Sequence, residues 1–157
     1  MSLPTAMVLM IISVFPTSCG LLAAPVDGTV VRAFAPQGRF GGHWGVDLAV
    51  TVGTPVAAAD DGVVTFAGDV AGVVSVTVNH GGGLRTSYSY LSAVDVTMGD
   101  SVRRGGLIGR SGADHRLAVL HFSVRVGDRY VDPVLLLGCV SPGAGLRLVA
   151  GGRPVYA

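Results

Sequence analysis

From Pro25 onward the chain runs in short stretches of alternating apolar and polar residues, punctuated by glycine, of which it has 24 in 157 residues. A period of two marks a strand with one buried face, and glycine at the ends of such runs marks turns. Thr29 to Phe34, Val56 to Ala59, Gly62 to Gly68, Val73 to His80 and Leu84 to Leu91 read as strands. Gly53-Thr54-Pro55 and Asp60-Asp61-Gly62 supply turn chemistry, Gly81-Gly82-Gly83 closes a hairpin, and Gly127-Asp128 joins a late strand to Arg129-Tyr130-Val131. Within Leu84 to Leu91, strict alternation puts Thr86, Tyr88 and Tyr90 on one face, so both phenols are expected in the same groove. No segment carries a helical period. Pro133 to Gly138 is long enough for a single turn capping a sheet.

The ends of the chain differ from its middle. Residues 6–15 form an apolar run followed by Pro16 and small residues, about half of the roughly 20 residues needed to cross a bilayer. Residues 1–24 are therefore expected to be a signal peptide, or an uncleaved N-terminal anchor, and the protein to be exported: secreted or cell-wall associated. Residues 25–138 form the one domain, and 139–157, rich in glycine and proline with Leu146 to Val149 as a possible strand, form a peripheral extension. Any membrane contact is expected only through the first segment. A net charge of +1 with no basic block gives no electrostatic footprint for nucleic acid. Cys19 and Cys139 are not at metal-ligand spacing, and cleavage of a leader would leave Cys139 unpaired.

The chemistry concentrates at Gly41-Gly42-His43-Trp44-Gly45-Val46-Asp47-Leu48, where an imidazole and a carboxylate stand four residues apart. Both are good zinc ligands. On a straight strand they would lie about 13 Å apart, so the backbone has to bend to bring them together, and Gly45 is the residue that permits it. A third ligand has to come from elsewhere. In Val119-Leu120-His121-Phe122-Ser123-Val124-Arg125-Val126 alternation puts Leu120, Phe122, Val124 and Val126 on one face and turns His121 to the other, which makes it the best candidate. Gly109-Arg110-Ser111-Gly112 has the wrong glycine spacing for a serine-nucleophile turn.

His-x-Gly-x-Asp, followed late in the chain by Leu-His-Phe, resembles the lysostaphin/LytM type of zinc metallopeptidase, which cuts peptide bonds in bacterial peptidoglycan. The likeness runs over about residues 26 to 138. It includes Gly53-Thr54-Pro55-Val56-Ala57-Ala58-Ala59-Asp60-Asp61-Gly62, the His80-Gly81-Gly82-Gly83 turn, and Gly99-Asp100-Ser101-Val102 with Gly105. The resemblance implies an all-β fold, an antiparallel sheet partly rolled into a barrel-sandwich hybrid. It implies zinc as cofactor, held by His43, Asp47 and His121, and peptidoglycan peptides as substrate.

Two positions depart from the family pattern. The first histidine of its His-x-His pair falls on Val119, and the histidine of its Tyr-x-His-Leu motif falls on Tyr90. In the family those histidines orient the metal's water and stabilise the developing oxyanion. Tyr90 is able to donate a hydrogen bond to an oxyanion but is a poor base at neutral pH. His115, in the loop before the His121 strand, is a candidate substitute for proton transfer. The expectation is a zinc metalloendopeptidase with Tyr90 as oxyanion donor. The alternative is a catalytically impaired cell-wall-binding or regulatory module that keeps the metal site and engages peptidoglycan or another cell-wall enzyme.

Overall fold

The computed structural model describes residues 21–38 and 41–137. Thirteen strands follow in chain order: β1 Thr29–Arg32, β2 Ala35–Gln37, β3 Gly41–His43, β4 Val46–Ala49, β5 Pro55–Ala57, β6 Gly62–Val70, β7 Val73–Asn79, β8 Leu84–Ser89, β9 Leu91–Val94, β10 Ser101–Val102, β11 Leu107–Asp114, β12 Leu117–Val126 and β13 Arg129–Val131. The fold is all-β and every strand pairing is antiparallel. Among the described residues the one helical segment is a 3₁₀ turn, Pro133–Leu135, started by Asp132, whose side chain accepts from the Val134 N–H. The turn expected at Pro133 is therefore present. Among the described residues no helix is long and apolar enough to cross a membrane.

The main sheet runs β1-β4-β12-β8-β7-β6-β10. The second wall is built on β11, which pairs with β5 and β9 and rejoins the main sheet through β12. Val46, Leu48, Leu120, Phe122, Val124, Tyr88, Val76 and Val78 point inward and are buried against Val56, Val64 and Ile108. Burying each such side chain is worth about 1.5–3 kcal/mol. Because side chains alternate, the same strands turn Asp47, His121 and Ser89 to the opposite face, where a groove forms.

The alternation fails at three places, each for a structural reason. The strand expected over Leu84 to Leu91 stops at Ser89, because Tyr90 takes a left-handed φ of 64° and the chain then leaves β8 to pair with β11. Tyr88 and Tyr90 accordingly do not share a face: Tyr88 is fully buried in the core and Tyr90 lines the groove. Pro36 to Gly42, read as a loop, contributes both strands of the β2–β3 hairpin. Gly42 has φ +87°, and a Cβ there would lie 2.3 Å from the Ala35 carbonyl oxygen. Strand β11 did not stand out in the sequence because its register shifts against both β5 and β9, which breaks the period of two.

The leader expected over residues 1–24 lies outside the described residues as far as residue 20. Leu22 is fully buried, bridges to Leu137 and donates its N–H to the Leu136 carbonyl at 2.9 Å. Packing of the domain thus begins before Pro25. The extension over 139–157 lies outside the described residues.

Candidate metal centre

His43 arrives at the end of the β2–β3 hairpin, and its ring Nδ1 lies 2.8 Å from the Ala33 carbonyl oxygen. A carbonyl only accepts, so Nδ1 carries the proton and Nε2 presents its lone pair. That lone pair points into a cluster. His43 Nε2 is 3.0 Å from Asp47 Oδ1 and 3.1 Å from His121 Nδ1, and His121 Nδ1 is 2.7 Å from Asp47 Oδ1. His43 and Asp47 are 7% and 4% exposed, so little water reaches them. With Nδ1 donating to the carbonyl, Nε2 is the ring atom that faces the Asp47 carboxylate oxygen at 3.0 Å, where a shared cation would be held by both. Ligands of a tetrahedral ion with bonds of about 2.0–2.1 Å sit about 3.3 Å apart, close to the spacing of these three atoms. The donor set fits a metal ion.

Asp47 and His121 meet because they are register partners on β4 and β12. His43 is folded onto them by Gly45, the link between β3 and β4. A Cβ on Gly45 would stand 2.5 Å from the Phe122 carbonyl oxygen and 2.8 Å from His121 Cε1 and Nε2. The chain does bend at Gly45, but without a left-handed φ: glycine is needed there because the Phe122 carbonyl and the His121 ring leave no room for a Cβ. Burial lowers the His121 pKa, against the opposing pull of Asp47, which keeps its ring neutral at pH 7.

The three residues line an open groove of about 330 Å³ together with Arg32, Trp44, Ser89 and Tyr90. Tyr90 stands edge-on to His121, with ring centroids 6.3 Å apart. Its pKa is raised, first by burial and then by the charge of the Asp114 carboxylate. The phenol remains protonated at neutral pH. His115 does not reach the groove. Its ring is 96% exposed and paired with Asp114, on a turn where His115 and Arg116 both have positive φ. Val119 is fully buried on β12 itself, two residues before His121 and opposite Ala49 and Gly112, and its side chain has no polar atom to offer.

Other motif residues have structural roles. His80 bridges the Asp61 carbonyl at 2.7 Å and Thr86 Oγ1 at 2.8 Å, and Ser111 is buried with its hydroxyl 2.8 Å from the Thr51 carbonyl. Arg32 and Trp44 were not identified as site residues in the sequence. Alternation alone would put Arg32 on the same face as Val30, but a register shift between the two sets Val30 opposite Leu48 and Arg32 opposite Asp47.

A family model described as Peptidase family M23 matches residues 41–133. The DD-carboxypeptidase/endopeptidase Mpg of Neisseria meningitidis is 40% identical over 95 residues, covering 59% of this chain and 22% of the relative. The chain thus spans less than a quarter of that relative's length. Among solved structures, Csd3 of Helicobacter pylori matches with a TM-score of 0.67 at 32% identity, over 78% of this chain and 36% of that one. The catalytic domain of the antimicrobial peptidase lysostaphin from Staphylococcus simulans matches with a TM-score of 0.61 at 30% identity, over 69% of this chain and 90% of that one. With more than half of its length matched by the family model, on the fold of the lysostaphin catalytic domain and with a three-donor cluster at its centre, the chain belongs to peptidase family M23.

Proposed function

We propose that this protein is an exported zinc metalloendopeptidase that acts on peptide bonds of bacterial peptidoglycan, with His43, Asp47 and His121 holding the metal. The observation that carries this reading is the convergence of three donor atoms within 3.1 Å of one another, on residues drawn from three strands. When bound, zinc supplies Lewis acidity and water activation. His43 is oriented by the Ala33 carbonyl so that Nε2 faces the centre, and Asp47 contributes the charge that offsets the cation. The family and the name of the Neisseria relative support a peptidoglycan peptide as substrate. The experiment is release of new amines from purified cell walls by the zinc-loaded chain. Release that stops with chelator and with Asp47→Ala supports the proposal, and absence of release where lysostaphin-type enzymes act counts against it.

Val119 and Tyr90 favour a second reading, a cell-wall-binding or regulatory module with little hydrolysis. Neither residue is a competent base, and the one histidine nearby in sequence, His115, faces solvent. General acid-base help is worth about 10²- to 10⁴-fold in rate, so its loss leaves a slow enzyme or a binder. Pull-down on peptidoglycan with and without chelator separates the two. Retention that is independent of metal, with no cleavage, identifies the module.

A further inference from the structure

Among the described residues lining the groove, the Arg32 guanidinium is the one side chain with a fixed positive charge, and neither the metal cluster nor the core uses it. Its single ionic contact among the described residues is with Asp47 Oδ2 at 3.9 Å, beyond hydrogen-bonding reach, and its side chain is 60% exposed. The bulge between Val30 and Arg32 is what turns it toward the groove, and bulges of this kind re-aim side chains beside functional sites. On the opposite side of the cluster Tyr90 offers a single phenolic proton, and Val119 has no donor. Arg32 is therefore the side chain in this groove with several donors free to meet a ligand.

The charge balance states what kind of ligand. Apart from the histidines, the ionised groups lining the groove are Arg32 and Asp47, which cancel. A divalent cation at the donor cluster leaves the groove positive, and the guanidinium extends that field away from the ion along the groove. A fork of N–H donors beside such a centre matches a carboxylate.

Resting on the metallopeptidase reading for the site it borders, we propose that Arg32 anchors a carboxylate of the bound peptide, so that the groove selects peptides bearing a free carboxylate close to the metal-binding residues. The carboxylate has two sources, the peptide's C-terminus or an acidic side chain. Arg32 carries a fixed charge and transfers no proton, so it binds and orients the peptide and leaves the base role empty.

The test is calorimetric binding of four probes to the full chain, with zinc and with chelator: acetyl-Ala-Ala-Ala as free acid and as amide, and acetyl-Ala-Glu-Ala-amide against acetyl-Ala-Gln-Ala-amide. The expected result is a preference of about tenfold for an acid over its neutral partner, the scale of one charge-assisted hydrogen bond in an open groove. The pair that shows it identifies the source. Arg32→Gln abolishes the preference while zinc stoichiometry is unchanged, and Arg32→Lys keeps part of it. No preference in the wild type, or a preference that survives Arg32→Gln, overturns the proposal. So does a loss of zinc in Arg32→Gln, which would make the residue a support for Asp47. A chain that takes up no zinc yet loses its preference on Arg32→Gln removes the metallopeptidase reading and leaves the anion site standing. A chain that cleaves cell walls without the preference does the reverse.

Discussion

Asp47 and His121 are register partners on adjacent strands, with Oδ1 2.7 Å from Nδ1. The row continues on both sides, to Arg32 on β1 and to Ser89 on β8, so that the functional side chains form one line across four strands. Of the three metal-ligand candidates, His43 alone comes from outside that line, over the Gly45 link. The affinity of the centre for metal therefore depends on the register of the sheet, and each ligand is removable without touching the core on the other face.

Replacing Asp47 by Ala or His121 by Ala is expected to weaken zinc binding by more than the roughly 10- to 100-fold that loss of a partner behind the ligands costs. The check is competition with a chromophoric chelator. The circular dichroism spectrum should be unchanged, because these side chains lie on the groove face of β4 and β12 while Val46, Leu48, Leu120 and Phe122 keep the core.

Gly45→Ala is expected to destabilise the domain by about 1–3 kcal/mol, the usual range for overpacking, and to weaken zinc binding in the same variant. The added methyl would stand 2.5 Å from the Phe122 carbonyl and 2.8 Å from the His121 ring, so the strand and the ligand must move together. Thermal unfolding and metal titration on one preparation check both effects. An intact metal affinity with a lowered Tm would separate the bend from the site.

Tyr90→His is expected to raise peptide hydrolysis by about 10²-fold, the low end of what a positioned acid-base group contributes. The backbone favours the change, since φ at Tyr90 is 64° and histidine is among the side chains that tolerate the left-handed region. The rate of amine release at equal zinc content measures it. An unchanged rate would mean that proton transfer is not what limits this chain.

Tyr88 gives the fold a dependence on alkaline pH. Its hydroxyl accepts the Ala59 N–H at 2.7 Å and lies 2.9 Å from Thr86 Oγ1, and burial pushes its pKa from 10.0 up to about 12. Folding favours the protonated phenol, so this contribution is whole below pH 10.0 and is lost as the pH rises toward about 12. Denaturant unfolding followed across that interval should show falling stability. Tyr88→Phe should flatten the dependence while costing about 1–3 kcal/mol below pH 10.0, because the buried Ala59 N–H loses its acceptor, and that cost should shrink as the pH rises toward about 12.

The period of two and the glycine turns were enough to read an all-β chain, and the alternation in Val119 to Val126 was enough to send His121 to the face opposite Phe122. His43 and Asp47 were legible as a pair because a bend at Gly45 was the only local way to join them. These features are local: they depend on which face a residue takes and on what conformations a residue allows. Register is not local. The shift between Val30 and Arg32, the left-handed turn at Tyr90 that separates it from Tyr88, and the two irregular pairings of β11 are set by how strands close on one another. A one-residue slip moves a side chain to the other face, so only the closed sheet decided that Arg32 would stand beside Asp47 and that His115 would stay in solvent.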